Sequence, residues 1–412
     1  MSLTRKRRHP LFDAYGFAVG YAVVDRNTLE VLHIADELLA VAQPEPAEGT
    51  KRDLEILPGM AAHSVGFRNS RSMRKPAKWG RKLAARTGLL SAVLEKHNAM
   101  LLPGGVHPFF APARDARPGR GMDAGARAVC GTIFDLRGHG WSNDQLLRLD
   151  IRFDKATEFS KLHAAVRLLL PIIPGLAAAS PILEGRLTGT HDSRLEERVR
   201  SYQRVPELVG SLVPEAVFEQ EDHDREILVP IAQALAQYDP DHLLDPVVMN
   251  ARGATTDFER GAMSIHVIDA QECATANMAV AEFLITVLKA LVAGRWVSTY
   301  LQRAWSVDDL QVMLMSTIKD GDRTVITNGD YLLMFGLLKQ GRMPVIKLWQ
   351  HLFVELYGDL SENARQRIGH ILEHGTLSTR VMNAVGKRPS SEKIRAAYVE
   401  MAQCLVSDKS FA

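Results

Sequence analysis

Two segments of strictly alternating character constrain the fold of this chain more than any other feature. Residues 146–153 and 262–268 place apolar side chains at every second position, which is the repeat of a β-strand with one buried face. Two such strands in one antiparallel sheet would present a joint polar face to a cleft. The polar positions on that face are Arg148, Asp150, Arg152, Ser264 and His266.

The remaining patterns divide the chain into a strand-rich first part and a helix-rich last part. Residues 16–24 and 30–34 predict a hairpin, and residues 101–107 predict a strand. Residues 111–128 lack apolar periodicity and predict a mobile loop. Apolar residues at helical spacing predict helices at 82–98, 156–170, 274–293, 307–318, 344–357, 361–373 and 391–405. This order indicates an α+β fold in which helices cover one face of a largely antiparallel sheet.

Composition argues against several classes of protein. The 50 Lys+Arg and 48 Asp+Glu give a formal net charge of +2, so no global field favours nucleic acid as a partner. Three widely spaced cysteines fit free thiols in a reducing cytoplasm. The basic N-terminus has no apolar segment behind it and is not a secretory signal. The longest apolar stretch, at residues 166–179, contains two prolines and is too short to span a membrane, so we expect no membrane partner.

Residues 180–194 follow an apolar helical stretch and have the composition of a ligand-binding loop. Arg186 and Arg194, together with Thr188, would suit bidentate recognition of a carboxylate or a phosphate. The alternative is that the acidic and basic residues of this segment only stabilise a surface turn.

The same segment reads SPILEGRLTGTHDSR. It resembles the Ser-Pro-x-x-x-Gly-Arg-x-Thr-Gly…Arg segment of the carboxylate–amine ligases related to bacterial and plant glutamate–cysteine ligase. The similarity extends from about residue 12 to about residue 295, and on it the chain is identified as a member of this family. Further segments similar to the family are residues 21–29, 101–108, 134–143, 250–254 and 258–262.

The resemblance implies a fold like the catalytic domain of glutamine synthetase. It also implies a reaction that joins a carboxylate to an amine with ATP and magnesium. Three regions follow from it: a basic tail at residues 1–11, a ligase-like α+β domain at residues 12–295, and a helical C-terminal region at residues 296–412 that packs on this domain.

The metal-binding carboxylates of the family are absent from the positions where the resemblance places them. Two further positions that the family uses have become Arg148 and His266. Because magnesium takes hard oxygen ligands, this face would not hold the ion in the way the family does. Asp150 is the carboxylate that remains, either as a salt-bridge partner of its flanking arginines or as a metal ligand. The former metal positions are Ala18, Gly20, Gly59, Gly66 and Ser264.

Three interpretations of function follow. In the first, the protein is a pseudoenzyme that needs no cofactor, binds a small anion, and regulates or completes an active enzyme or a homo-oligomer. In the second, it is an active carboxylate–amine ligase of γ-glutamyl type that requires ATP and magnesium and has relocated metal ligands. In the third, it is a metal-free enzyme on the same fold. The predicted anion-binding residues are Arg148, Arg186, Thr188, Arg194 and His266.

Overall fold

The computed structural model describes residues 9–42, 53–119, 124–134, 138–338 and 341–412. Residues 1–8 of the predicted basic tail lie outside this range. Residues 135–137 of the family-like segment 134–143, and residues 120–123 of the predicted loop, also lie outside the described residues.

The largest sheet in the described part of the chain has seven antiparallel strands. Its strand order is β2-β3-β1-β5-β9-β8, and β4 pairs with the far end of β1. Two small two-stranded sheets, β6 with β7 and β10 with β11, lie apart from this sheet, and only the first is a hairpin. The strands are β1 (Tyr15–Asp25), β2 (Leu54–Pro58), β3 (Ser64–Asn69), β4 (Ala99–Leu102), β5 (Leu147–Arg152), β6 (Ile182–Leu183), β7 (Arg186–Leu187), β8 (Ala254–Asp257), β9 (Ala262–Ile265), β10 (Val325–Ile326) and β11 (Met343–Pro344).

Helices dominate the chain after the last strand of the main sheet. Most of those with eight or more residues bury one apolar face, as surface helices of a globular domain do. The helices are α1 (Ala35–Ala42), α2 (Pro76–Glu95), α3 (Pro112–Asp115), α4 (Ala124–Ile133), α5 (His139–Ser142), α6 (Ala156–Leu169), α7 (Pro174–Ala177), α8 (Ser193–Ser201), α9 (Gln220–His223), α10 (Val229–Ala236), α11 (Pro246–Met249), α12 (Ala274–Val292), α13 (Thr299–Arg303), α14 (Val307–Asp320), α15 (Gly329–Leu333), α16 (Val345–Leu356), α17 (Glu362–His374), α18 (Leu377–Val385) and α19 (Ser391–Ser407).

One face of the sheet carries the main hydrophobic core. Alternate residues of β1, from Tyr15 to Val23, are at most 1% exposed and belong to this core. Helix α12 packs against α2 and α6 in the same core, and Trp79 of α2 lies 5.4 Å from Phe17 between ring centroids. Burial of large side chains of this kind is the main term that stabilises the fold.

The opposite face of the sheet is divided into a covered part and a polar part. At the end of β1, Ala22 and Val24 form a second apolar cluster with Leu102 of β4 and with Tyr398 and Met401 of α19. The preceding alternate residues of β1 carry no large side chain. The C-terminal helices therefore close one half of this face and leave the other half for a site.

The structure confirms the predicted fold class and the principal elements. Both alternating segments are strands of the sheet, and β5 and β9 are direct antiparallel neighbours. Each predicted helix is present within a few residues, with the largest shift at α2, which begins at Pro76 rather than at residue 82. The proline at its first turn explains the earlier start, since that position needs no backbone N–H.

Three expectations about local structure were wrong. The segment 111–128 is not a plain loop, because it contains α3 and the beginning of α4, whose residues Cys130 and Ile133 are buried in a third apolar cluster. The strand predicted at residues 101–107 ends at Leu102, before the Pro-Gly-Gly turn. The return strand at residues 30–34 is reduced to a single bridge between Val24 and Val31.

The expectation that no apolar stretch is long enough to cross a membrane was also wrong. Helix α12 has 19 residues with a hydropathy of 1.6 in its most apolar window, and 72% of that window is buried inside the protein. Since α12 packs between α2, α6 and α17, its apolar surface faces other helices of the core.

The side chain of Asn69 continues the sheet ladder where β3 ends. Its amide oxygen accepts from the backbone N–H of Phe17 at 2.6 Å, and its amide nitrogen donates to the carbonyl oxygen of Tyr15 at 3.1 Å. We expect Asn69→Ala to lower the free energy of unfolding by about 1–3 kcal/mol, because these buried backbone groups lose their partner. Urea unfolding measures this, with Asn27→Ala in an exposed turn as control. Equal losses in the two variants would contradict the assignment.

Candidate functional site

The polar half of the sheet gathers most of the predicted site positions on one face. Gly20 of β1 lies opposite Gly66 of β3, and Ala18 lies opposite Arg148 of β5. Asp150 of β5 in turn lies opposite Ser264 of β9. Because residues directly opposite in an antiparallel pair point to the same side, these positions form one continuous floor.

The glycines that line this floor differ in how much room they leave for a larger side chain. A Cβ atom at Gly20 or Gly66 would meet only a backbone oxygen, at 4.0 and 3.8 Å respectively, so both positions are open. Gly59, in the turn after β2, is crowded, since a Cβ there would overlap the side chain of Ser64. Gly20, Gly59 and Gly66 nevertheless line one cavity of about 120 Å³ together with Asp144. Ala18 and Ser264 lie outside that cavity on the same floor.

One carboxylate of this floor, that of Asp150, is held by several donors. Asp150 has a side chain that is 3% exposed, and its oxygens lie 3.0 Å from Nε of Arg148 and 3.7 Å from Nη2 of Arg260. Ser264 donates its hydroxyl to the same carboxylate at 2.8 Å. Arg152, also expected beside Asp150, donates instead to Ser72 and to the carbonyl oxygen of Arg260. Asp150 is therefore a salt-bridge partner.

The residues present do not fit a magnesium site of the kind that the resemblance implies. Magnesium needs several hard oxygen ligands in an octahedron, usually including a free carboxylate. The carboxylate of Asp150 is already held by two guanidinium groups and a hydroxyl. In the described part of the chain, no group of three or more His, Cys, Asp or Glu side chains is arranged to hold a metal ion.

Arg194 was predicted to bind an anion, and the structure corrects that role. Its side chain is 1% exposed, its Nε donates to Asp269 at 2.5 Å, and its Nη1 donates to Asp144 at 3.0 Å. Burial alone would lower the pKa of Arg194, but Asp269 and Asp144 outweigh this and raise it. The guanidinium is a fixed structural cation, whereas Arg186, which was predicted to bind an anion together with it, lies exposed on β7.

Asp269 joins two of the family-like segments in the interior. Its carboxylate accepts hydrogen bonds from the backbone N–H of Ala179 at 2.6 Å and from the hydroxyl of Ser180 at 2.8 Å, in addition to Arg194. Gly105 approaches so closely that a Cβ atom there would overlap this carboxylate. Burial, with Asp269 as a second cause, raises the pKa of the neighbouring Asp192, which favours its neutral form.

The other residues of the 180–194 segment form a hairpin and a turn. Arg186 is exposed on β7. The hydroxyl of Thr188 lies 3.2 Å from the carbonyl oxygen of Pro181 and 2.8 Å from the hydroxyl of Ser193. For Thr188 the geometry is therefore that of a local turn.

His266 lies where the floor meets helix α8. Its Nε2 is 3.0 Å from the hydroxyl of Thr255. Burial lowers its pKa well below the ordinary value, and the nearby charges of Arg198, Arg148 and Arg194 lower it further. The structure thus brings Arg148, Arg194 and His266 together, with the imidazole neutral, and places Arg186 and Thr188 on the hairpin.

Sequence reasoning missed three residues of this region. Asp144 and Trp141 line both the glycine-floored cavity and a larger neighbouring cavity, and Arg198 lines the larger one. Asp144 accepts from both Arg194 and Arg198, the latter at 3.4 Å. Two signals were available: Asp144 directly follows the family-like segment 134–143, and Arg198 is four residues after Arg194 on one helix face.

Comparison with known families agrees with this architecture. The model of the family described as glutamate-cysteine ligase family 2 matches residues 81–317, which is more than half of the chain. The chain belongs to glutamate-cysteine ligase family 2. An uncharacterized protein of Archaeoglobus fulgidus is 32% identical over 190 residues, which cover 46% of this chain and 51% of that protein. The match therefore spans about half the length of this relative.

Two solved structures share the fold at low sequence identity. The bifunctional glutathione synthetase of Pasteurella multocida has a TM-score of 0.54 and 10% identity, over 97% of this chain and 52% of that one. The glutamate–cysteine ligase of Francisella tularensis in complex with AMP has a TM-score of 0.55 and 9% identity, over 96% of this chain and 89% of that one. These likenesses establish the ligase-type fold alone.

Replacement of Arg194 should be among the most destabilising changes in the chain. Arg194→Met would leave Asp269 and Asp144 buried with reduced compensation, and breaking a buried ion pair in this way costs about 3–5 kcal/mol. The matched control is Arg186→Met, an exposed position where we expect a change within about 0.5 kcal/mol. Chemical unfolding distinguishes the two. A variant at position 194 as stable as the control would show that Arg194 is not a structural cation.

His107 gives the stability of the protein a dependence on pH. Its Nε2 lies 2.6 Å from the carbonyl oxygen of Leu29, and its Nδ1 accepts from the backbone N–H of Phe109, so the neutral form is required. Burial lowers the pKa of His107 to about 4. The unfolded chain binds a proton near pH 6.5, so this contribution is present above that pH and is lost as the pH falls toward 4.

We expect His107→Asn to have a shallower loss of stability between pH 7 and pH 5 than the parent protein. The difference should be on the order of 1–2 kcal/mol, measured as unfolding free energies at the two pH values. His374→Asn, at an exposed histidine of α17, serves as the control and should follow the parent. Parallel pH profiles for all three proteins would rule out His107 as the source.

Proposed function

We propose that this member of the family no longer performs magnesium–ATP-dependent ligation and acts as a pseudoenzyme with an anion-binding cleft. The observation that carries the proposal is the environment of Asp150. This carboxylate lies on the floor formed by Ala18, Gly20, Gly66 and Ser264, and it is held by Arg148, Arg260 and a hydroxyl. Glu55 and Asp257 share this face of the sheet and are also paired with arginines, Arg68 and Arg260.

The chemistry of ligation explains why this arrangement matters. ATP phosphorylates a carboxylate and an amine then displaces the phosphate, so negative charge develops on the transferred group and must be neutralised. Metal ions do this and also orient the attacking and leaving oxygens. Arg148 can offset part of the charge, but a single guanidinium does not bridge two phosphates as metal ions do. Loss of this electrostatic term removes what is usually the largest contribution to catalysis.

The cation-rich floor supports binding of a small anion. The side chains of Arg148 and Arg260 are 29% and 39% exposed, and both contact the carboxylate of Asp150. Arg260 also lies 3.8 Å from the carboxylate of Asp257. Arg152 adds a third guanidinium, which donates to the neutral hydroxyl of Ser72 and to the carbonyl oxygen of Arg260. A dicarboxylate or a phosphate group would supply negative charge to balance these three guanidinium groups. A regulatory role beside an active ligase, or within a homo-oligomer, is part of the proposal.

A second candidate is an active ligase with relocated metal ligands. Asp144 favours it, because this carboxylate lines both cavities beside the floor and its side chain is 18% exposed. The structural neighbour from Francisella tularensis is in complex with AMP, so nucleotide binding is the corresponding expectation for an active ligase. In this alternative, Asp144→Asn would abolish the activity.

The deciding assay is release of ADP with magnesium, ATP, glutamate and a panel of amines. We expect no release above the rate without enzyme, and no rise in melting temperature with magnesium and ATP. A ligand at about 100 times its Kd would add about 2.7 kcal/mol to the free energy of unfolding, so binding would be visible. Turnover that is proportional to enzyme and is lost in Asp144→Asn would overturn the proposal in favour of the second candidate.

Adding acidic groups to the floor tests whether missing carboxylates explain the proposed loss of magnesium binding. The double variant Gly20→Glu with Gly66→Glu adds two carboxylates at the open positions of the floor, where the backbone leaves room. We expect this variant to be stabilised by magnesium ions in a thermal unfolding assay and the parent protein not to be. A double variant with glutamates at exposed Val312 and Val354 controls for added charge. Equal magnesium effects on parent and floor variant would contradict the explanation.

A further inference from the structure

A cavity of about 230 Å³ lies beside the glycine-floored cavity and shares Met60, Trp141 and Asp144 with it. Its walls come from α4, α5, α8, the turn at residues 118–119 and the segment 248–251. These elements meet at the edge of the sheet floor. The cavity is therefore a second compartment, which shares Trp141 with the glycine-floored cavity but lies beyond the sheet floor.

The lining of this compartment is mostly apolar. Phe134 and Tyr202 meet edge to face, with 5.1 Å between ring centroids. Two methionines, Met60 and Met249, line it as well, and thioether side chains adapt to ligands of differing shape. The volume is below the range of pockets for drug-sized ligands, so a compact apolar body fits this space.

One end of the compartment carries an incompletely neutralised cation. Arg198 is 9% exposed, its Nε donates to the carbonyl oxygen of Ala251 at 3.2 Å, and its Nη1 is 3.4 Å from Asp144. Asp144 is already paired with Arg194 at 3.0 Å. No described residue accepts a hydrogen bond from Nη2 of Arg198. A carboxylate on a ligand would complete this arrangement, whereas an ammonium group would be repelled.

Trp141 offers a further donor beside this end. The Nε1 atom of its indole is buried and has no hydrogen-bond partner among the described residues. A buried donor without an acceptor costs free energy unless a ligand or water supplies one. A neutral or anionic oxygen in the compartment would satisfy it.

We propose that this compartment binds a small monocarboxylate with an aromatic or branched apolar body. The body lies against Phe134, Tyr202 and Met249, and the carboxylate accepts from Arg198. This site is distinct from the anion-binding floor around Arg148, and it does not depend on whether the protein performs ligation.

The test is isothermal titration calorimetry with probes that share one apolar body, without magnesium or ATP. We use 3-phenylpropionate, its neutral amide, the cationic 3-phenylpropylamine, and acetate as a carboxylate without the body. We expect binding of 3-phenylpropionate, about tenfold or more weaker binding of the amide because a charged hydrogen bond is lost, and none of the amine or acetate. Equal affinity for carboxylate and amide, or no binding of any probe, would overturn the proposal.

Substitutions in the compartment test whether the ligand binds there. Arg198→Met should weaken 3-phenylpropionate about tenfold or more and leave the amide unchanged, whereas Arg200→Met, on the exposed side of the same helix, should bind as the parent does. Met249→Trp fills the compartment and should abolish binding of both probes, with Leu243→Trp outside the cavity as its control.

The variant Arg148→Met distinguishes ligand binding in the compartment from ligand binding on the sheet floor. We expect this variant to bind 3-phenylpropionate like the parent protein. Loss of binding in Arg148→Met with normal binding in Met249→Trp would place the ligand on the floor instead and refute the compartment. Because the wild-type preference for carboxylate over amide needs no variant, the proposal stays testable even if Arg198→Met does not fold.

Discussion

The buried contact between Arg194 and Asp269 is the interaction on which the rest of this structure depends. It links helix α8 to the segment after β9, and through Ala179 and Ser180 it links both to the segment that precedes the β6–β7 hairpin. A full charge in the interior is stable only with close partners on several sides, and here each of these elements provides one. The position of α8, and therefore of Arg198 and of the walls above the sheet floor, follows from this contact.

The alternating segments were predicted correctly because their pattern depends on local geometry. A strand with one buried face needs an apolar residue at every second position, and β5 and β9 have that pattern throughout. Helix α4 was missed for the opposite reason. Its residues include Ala, Gly and Arg without a clear apolar stripe, and the few that are buried, such as Cys130 and Ile133, depend on partners from distant segments.

The site residues divide in the same way. The shared face of Ala18, Gly20, Gly66 and Ser264 could be foreseen from the family resemblance, which places these positions together at one site. The role of Arg194 could not, because an arginine in a turn-like segment has the same sequence pattern whether it faces solvent or a carboxylate 75 residues away. Pairing over such distances is a property of the tertiary fold, and family resemblance transfers the residue without its burial.

The unequal crowding of the three glycines has a consequence for the substitutions that this floor can accept. Glycine and glutamate codons can differ by a single base, and at Gly20 and Gly66 the surrounding backbone leaves room for a larger side chain. At Gly59 the side chain of Ser64 occupies that volume, so a larger residue there requires a simultaneous change at a second position. A glutamate at Gly20 or at Gly66 is therefore within reach of a single substitution, whereas a glutamate at Gly59 requires two changes at once.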